Sequence, residues 1–151
     1  AGVSINQQGG DLTAESITFP GRSIASIERR TFGPLREMPY ERLYTGDIEI
    51  VFAHDVDVVR TAVEQWMDKI ISPADVIESN YSLYTAEIKI SIENEVIENR
   101  TPGKSLVATV KEAWPKTINP SQLGYGMVDD YVKMSVAFSF REIVYTGGLV
   151  V

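Results

Sequence analysis

Apolar and polar residues alternate strictly from residue 131 to residue 141. Val132, Met134, Val136, Phe138 and Phe140 fall on one side, and Tyr131, Lys133, Ser135, Ala137, Ser139 and Arg141 on the other. Side chains of an extended chain change face at every step, so this period of two predicts a β-strand with one buried and one wet face. The pattern returns at Ala86, Ile88, Ile90 and Ile92 against Glu87, Lys89, Ser91 and Glu93. It returns again within Leu43 to Ala53, where Ile48, Ile50 and Phe52 oppose Asp47, Glu49 and Val51. Strands are predicted roughly over Tyr84 to Val96 and Lys104 to Trp114, and Asn99-Arg100-Thr101-Pro102-Gly103 joins them into a long hairpin through its Pro-Gly turn step. Leu12 to Ile27 holds short apolar segments on either side of Phe19-Pro20-Gly21-Arg22, a turn between two strands.

The period changes once. Val58, Val59, Ala62, Val63, Trp66, Met67 and Ile70 form one stripe at helical spacing, with Asp55 placed to cap, Asp57 to favour the N-terminal dipole, and Ser72-Pro73 to stop the helix. The helix is expected to lie on a sheet as a lid, packing Val59, Val63 and Trp66 inward. Residues 28–42, ERRTFGPLREMPYER, follow neither period and read as a long extended loop. Loops of that length in a compact domain are generally functional or disordered. Arg29, Arg30, Arg36 and Arg42 gather here in an otherwise acidic chain, beside Phe32, Pro34, Met38 and Tyr40, which suits a docking segment. Residues 1–11, polar and rich in glycine and glutamine, read as a flexible arm ahead of a single domain over 12–151.

A length of 151 residues suits one core. The net charge of −7 disfavours adhesion to phosphate backbones or anionic lipid, which reward clustered Lys and Arg. With no cysteine, disulfides, thiolate metal sites and cysteine nucleophiles are excluded. No stretch approaches the roughly 20 apolar residues of a membrane helix.

Candidate chemistry is thin. His54, the one histidine, stands between a strand end and a helix start beside Asp55 and Asp57, without partners at ligand spacing. Asp129-Asp130 lacks the oxygen-rich spacing of a calcium loop. Gly124-Tyr125-Gly126 and Gly147-Gly148 are too short to cradle phosphate, and no Gly-x-Ser-x-Gly elbow occurs. Neither an active site nor a cofactor is expected.

The ordered set Phe19-Pro20-Gly21-Arg22, Phe32-Gly33-Pro34 and Met38-Pro39-Tyr40 resembles the tail tube proteins of contractile-tailed bacteriophages, and baseplate tube-initiator proteins look similar. Trp66, Glu112-Ala113-Trp114-Pro115, Leu123-Gly124-Tyr125, Tyr131-x-Lys133 and Phe138-x-Phe140-Arg141 continue the likeness, from about Leu12 to Tyr145. The resemblance implies a mainly β fold, an antiparallel β-sandwich or barrel with one flanking α-helix. It also implies hexameric rings stacked into a tube, sheath and baseplate partners, a place in the virion after assembly in the host cytoplasm, and DNA passing through without specific binding. The subunit-interface candidates are then Arg29, Arg30, Phe32, Pro34, Arg36, Met38, Tyr40 and Arg42. The lumen candidates are Glu87, Lys89, Ser91 and Glu93 on one strand and Lys133, Ser135 and Ser139 on another. Two other classes stay open: an all-β binding module using Tyr81, Tyr84 or Tyr145, and an enzyme with a carboxylate pair.

Overall fold

A computed structural model describes residues 2–5, 11–53, 55–74, 79–92, 106–119 and 132–147. The elements in chain order are β1 (Gly2–Ile5), β2 (Asp11–Thr13), β3 (Ser16–Thr18), β4 (Gly21–Arg29), β5 (Arg36–Thr45), β6 (Ile48–Phe52), α1 (Val56–Ile70), the one-turn α2 (Tyr81–Tyr84), β7 (Ala86–Ile92), β8 (Leu106–Ile118), β9 (Met134–Ser139) and β10 (Glu142–Thr146). Eight strands form one curled antiparallel sheet in the order β2-β1-β7-β8-β9-β6-β3, with β10 also pairing β8, while β4 and β5 form a separate two-stranded ribbon. The fold is mainly β, a half-barrel with one flanking helix.

The alternating strands build the core as their pattern demands. Ile48, Ile50 and Phe52 of β6, Ile88 and Ile90 of β7, Ala108 and Val110 of β8, and Met134, Val136 and Phe138 of β9 are all buried. Each large apolar side chain taken out of water stabilises the fold by roughly 1.5–3 kcal/mol. Helix α1 covers this face with Val59 and Val63, and Trp66 and Met67 pack at the edge. The Trp66 ring lies 5.9 Å from Phe138, and its Nε1–H donates to the Tyr84 carbonyl at 2.6 Å.

Three details differ from the expectations for these elements. Val58 and Ala62 face solvent, Val58 being 64 % exposed, because the sheet meets only the side of the helix that carries Val59, Val63, Trp66 and Met67. Asp55 does occupy the N-cap position, but it adopts the left-handed conformation and its side chain makes no capping bond. Val132 lies ahead of β9 and is 39 % exposed, and the run into β10 is interrupted at Phe140 and Arg141.

Strand β8 does not stop at Trp114 but runs on to Ile118, because two irregularities let it bend instead of ending. Ala86 pairs Ala113 while Ile88 pairs Val110, so Glu87 faces both Lys111 and Glu112, and Glu112 takes φ 53. A bulge of this kind adds a residue and sharpens the bend. Beyond it the strand leaves β7 and pairs β9, and the register slips again between Pro115 and Thr117, where proline has no N–H to donate. One strand therefore serves both halves of the curl. At the far side β2 and β3 close the path: they stand at opposite ends of the sheet order, yet only Ala14 and Glu15 separate them in the chain. Gly2–Ile5, within the segment expected as an arm, lies between β2 and β7.

Candidate functional site

Two surfaces stand out, the wet face of the curled sheet and the β4–β5 ribbon. The register places the first. Lys89 opposes Thr109, which opposes Val144 on its other side, and Ser91 opposes Val107, which opposes Thr146. Lys111 opposes Glu142, Ser139 opposes Trp114, and Ala137 and Ser135 oppose Glu49 and Val51. Side chains in register across a sheet share a face. Glu87, Lys89, Ser91, Ser135 and Ser139, chosen from two separate strands, thus lie on one continuous face opposite the core. Lys133 precedes β9 and pairs with Glu15 at 2.8 Å, and Glu93 falls outside the described residues. Thr109, Lys111, Glu142 and Val144 join this face without having been singled out, although the alternation of Val107, Thr109 and Lys111 with Ala108 and Val110 carries the signal.

Charges on and around this face are largely matched within the chain. Lys89 lies 3.5 Å from Glu87, Arg42 lies 3.9 Å from Glu142, and Lys116 donates to Asp47 at 2.9 Å. Asn119 donates to Glu49 at 3.2 Å and also to the Ser135 hydroxyl. At the bulge Glu112 receives Arg141 and, at 3.0 Å, the Tyr81 hydroxyl. Burial first, then the bond to Glu112, raises the Tyr81 phenol above its ordinary value. Exposed pairs like these contribute about 0–1 kcal/mol each to stability, but they cancel one another's field at a distance.

The ribbon is the second surface, and it corrects the sequence reading of 28–42. That segment is no extended loop: it is the outer part of β4, a six-residue tip, and most of β5. Both faces of the ribbon are wet, so no apolar alternation marks its strands, and Pro39 reads as a breaker although it sits in the ladder opposite Ser26. Ala25 pairs Glu41 and Ser26 pairs Pro39, which leaves Tyr40 as the extra residue of a bulge. Strands of nine and ten residues at about 3.3 Å per residue make an arm roughly 30 Å long. Gly33 turns the tip with φ 89, and its carbonyl accepts from Arg30 Nε at 3.2 Å. At the root, Tyr44 packs edge-on against Phe140 at 5.1 Å, and its hydroxyl accepts the Ile143 N–H at 3.3 Å.

Every interface candidate, Arg29, Arg30, Phe32, Pro34, Arg36, Met38, Tyr40 and Arg42, is exposed on this arm. Phe32 is 94 % and Tyr40 65 % exposed, and Ile24, Ile27, Leu35, Met38 and Leu43 are also bared. Ile27 with Met38 and Ser23 with Leu43 are cross-strand pairs on one face. Single exposed apolar residues need no explanation, whereas a concentration of this size on one ribbon makes it the candidate contact surface of the molecule.

Among the described residues no group of three or more metal-binding side chains occurs, no polar side chain is buried, and no helix is long and apolar enough to cross a membrane. His54, Asp129-Asp130 and Gly124-Tyr125-Gly126 lie outside the described residues. A packed core, a wet face with matched charges and a projecting arm define the class as structural. The model of the phage tail tube protein family matches residues 4–146, and the chain belongs to that family. Solved structures agree in fold. The tube-terminating cap of the anti-feeding prophage is 15 % identical, with a TM-score of 0.70 over 97 % of this chain and 87 % of that one. The sheath–tube complex of the PVC extracellular contractile injection system is 14 % identical, with a TM-score of 0.66 over 97 % and 88 %. An Hcp protein is 8 % identical, with a TM-score of 0.54 over 97 % and 91 %. No curated protein matches. The family and these neighbours are structural tube proteins rather than enzymes.

Proposed function

We propose that this chain is the repeating subunit of a contractile phage tail tube. Six copies close a ring, rings stack, and the wet sheet face lines a bore through which DNA leaves the capsid without being bound. Residues 12–151, joined in the sheet by β1 (Gly2–Ile5) and Asp11 of β2, act as one tube domain, and the arm carrying Arg29, Arg30, Phe32, Pro34, Arg36, Met38, Tyr40 and Arg42 reaches a neighbouring subunit. Sheath and baseplate proteins are the other partners, and the tube forms in the host cytoplasm before residing in the virion. The carrying observation is the wet face: serines, threonines and matched charges run across five strands, and among the described residues no cluster of Lys or Arg joins them. Duplex DNA presents one charge per roughly 1.7 Å of axis, so an excess of cations repeated around each ring would hold it in a salt-dependent trap. Matched charges leave nothing to hold.

The test pairs negative-stain microscopy of concentrated protein with a titration of the assembled form against short duplex DNA at low salt. Stacked rings without measurable binding are expected. Sub-micromolar binding that vanishes with salt would overturn the conduit reading. The likeness to Hcp supports a second reading, a secretion-type tube or a baseplate tube initiator, and rings that never extend would select it.

A further inference from the structure

The two long edges of the arm are unlike each other. Among the described residues neither β4 nor β5 has a second partner, so each presents a row of unpaired N–H and C=O groups along its outer side. Edges of this kind template pairing with another chain, and proteins blunt them with proline, charge or a bulge. Strand β5 has all three: Pro39, the bulge at Tyr40, and the charges of Glu37, Glu41 and Arg42. Strand β4 has none across Ser23-Ile24-Ala25-Ser26-Ile27, an uncharged run with two β-branched residues. A chain that protects one edge of a ribbon and leaves the other open directs pairing to the open one.

We infer that the outer edge of β4 receives a β-strand from a second copy of this chain, extending the ribbon by strand addition. Charge selects that occupant. Residues 21–45 carry five arginines and three glutamates, an excess of two positive charges in a chain of net charge −7, which leaves the remainder at −9. The arm of one copy is therefore drawn to the body of the next. The apolar side chains raised on the arm, Ile24 at 66 % and Ile27 at 51 % exposed, then lose their water as the strand is covered. This assignment rests on the tube reading above and adds to it which strand makes the joint.

Hydrogen exchange on the purified protein alone tests it, comparing the dilute subunit with the assembled form, because the only partner present is the chain itself. In assemblies, amides within 21–29 are expected to exchange at least about tenfold more slowly than in the subunit, while those of 36–45 slow less. Assemblies in which 21–29 exchange as they do in the subunit, or in which 36–45 gains the larger protection, overturn strand addition at β4 and leave the tube reading standing. A chain that remains monomeric at every concentration overturns both.

Discussion

The sheet body and the arm are built from the same kinds of residue and treat them oppositely. In the body, Ile48, Ile50, Phe52, Ile88, Ile90, Val136 and Phe138 sit on one face and are buried beneath α1 and within the curl of the sheet. In the arm, Ile24, Ile27, Met38, Tyr40 and Leu43 stand in water on a ribbon of only two strands. Two-stranded ribbons are marginal on their own, and among the described residues this one is tied to the body by Tyr44 on Phe140 and Ile143 and by Arg42 near Glu142. The body buries its apolar face within one chain; the arm leaves its apolar side chains exposed, as the proposed contact with a neighbouring subunit requires. Stability and assembly are thereby assigned to different residues, so they should be separable by mutation.

The largest effect on subunit stability belongs to the body. Phe138→Ala leaves a void where α1, β6 and β8 meet, and is expected to cost about 3–5 kcal/mol in denaturant unfolding. Trp66→Ala follows at about 2–3 kcal/mol, less because the indole is only half-buried, and Trp66→Phe should lose about 1 kcal/mol through the bond to the Tyr84 carbonyl. Next comes a pH effect at the bulge. The folded state raises the Tyr81 pKa, so it favours the protonated phenol. That contribution is fully present below about pH 10 and is lost as pH rises through the higher folded value. Wild type should lose stability above pH 10 more steeply than Tyr81→Phe, as seen in thermal melts at stepped pH. The smallest effect is on the arm: Arg36→Ala with Tyr40→Ala should change subunit stability by about 0.5 kcal/mol or less while shortening or abolishing tubes in electron micrographs. Unchanged tube length would dissolve the division between the two regions.

That division also decides what could be read from the chain. Strands β6, β7 and β9 and helix α1 were legible because each has one dry side, and burial writes its period into the residues. In the arm the Pro20-Gly21 turn announced a strand as far as Ile27, but residues 28–42 were not legible as strand, since the ribbon is wet on both faces and its residues alternate without any contrast between wet and dry. Pro115 concealed the far half of β8 in the same way, because the bulge that lets a proline stay in a strand is a backbone event that no residue pattern announces. The wet face could be nominated strand by strand, from Glu87 and Lys89 and from Ser135 and Ser139. Only the register shows that these belong to one side of one sheet.

The closure of the sheet constrains the order in which the chain can fold. Gly2 pairs Ser91 and Val3 pairs Ile90, so β1 cannot be completed until β7, some ninety residues later in the chain, is in place. Pairings of such separation are slow, because the loop they close is long before any contact rewards it. Hairpin β4–β5, by contrast, joins neighbours and can form early. The ribbon gains its root contacts to Phe140 and Ile143 only once β9 and β10 are in place, so a hairpin that pairs locally and early is fixed late, together with the body.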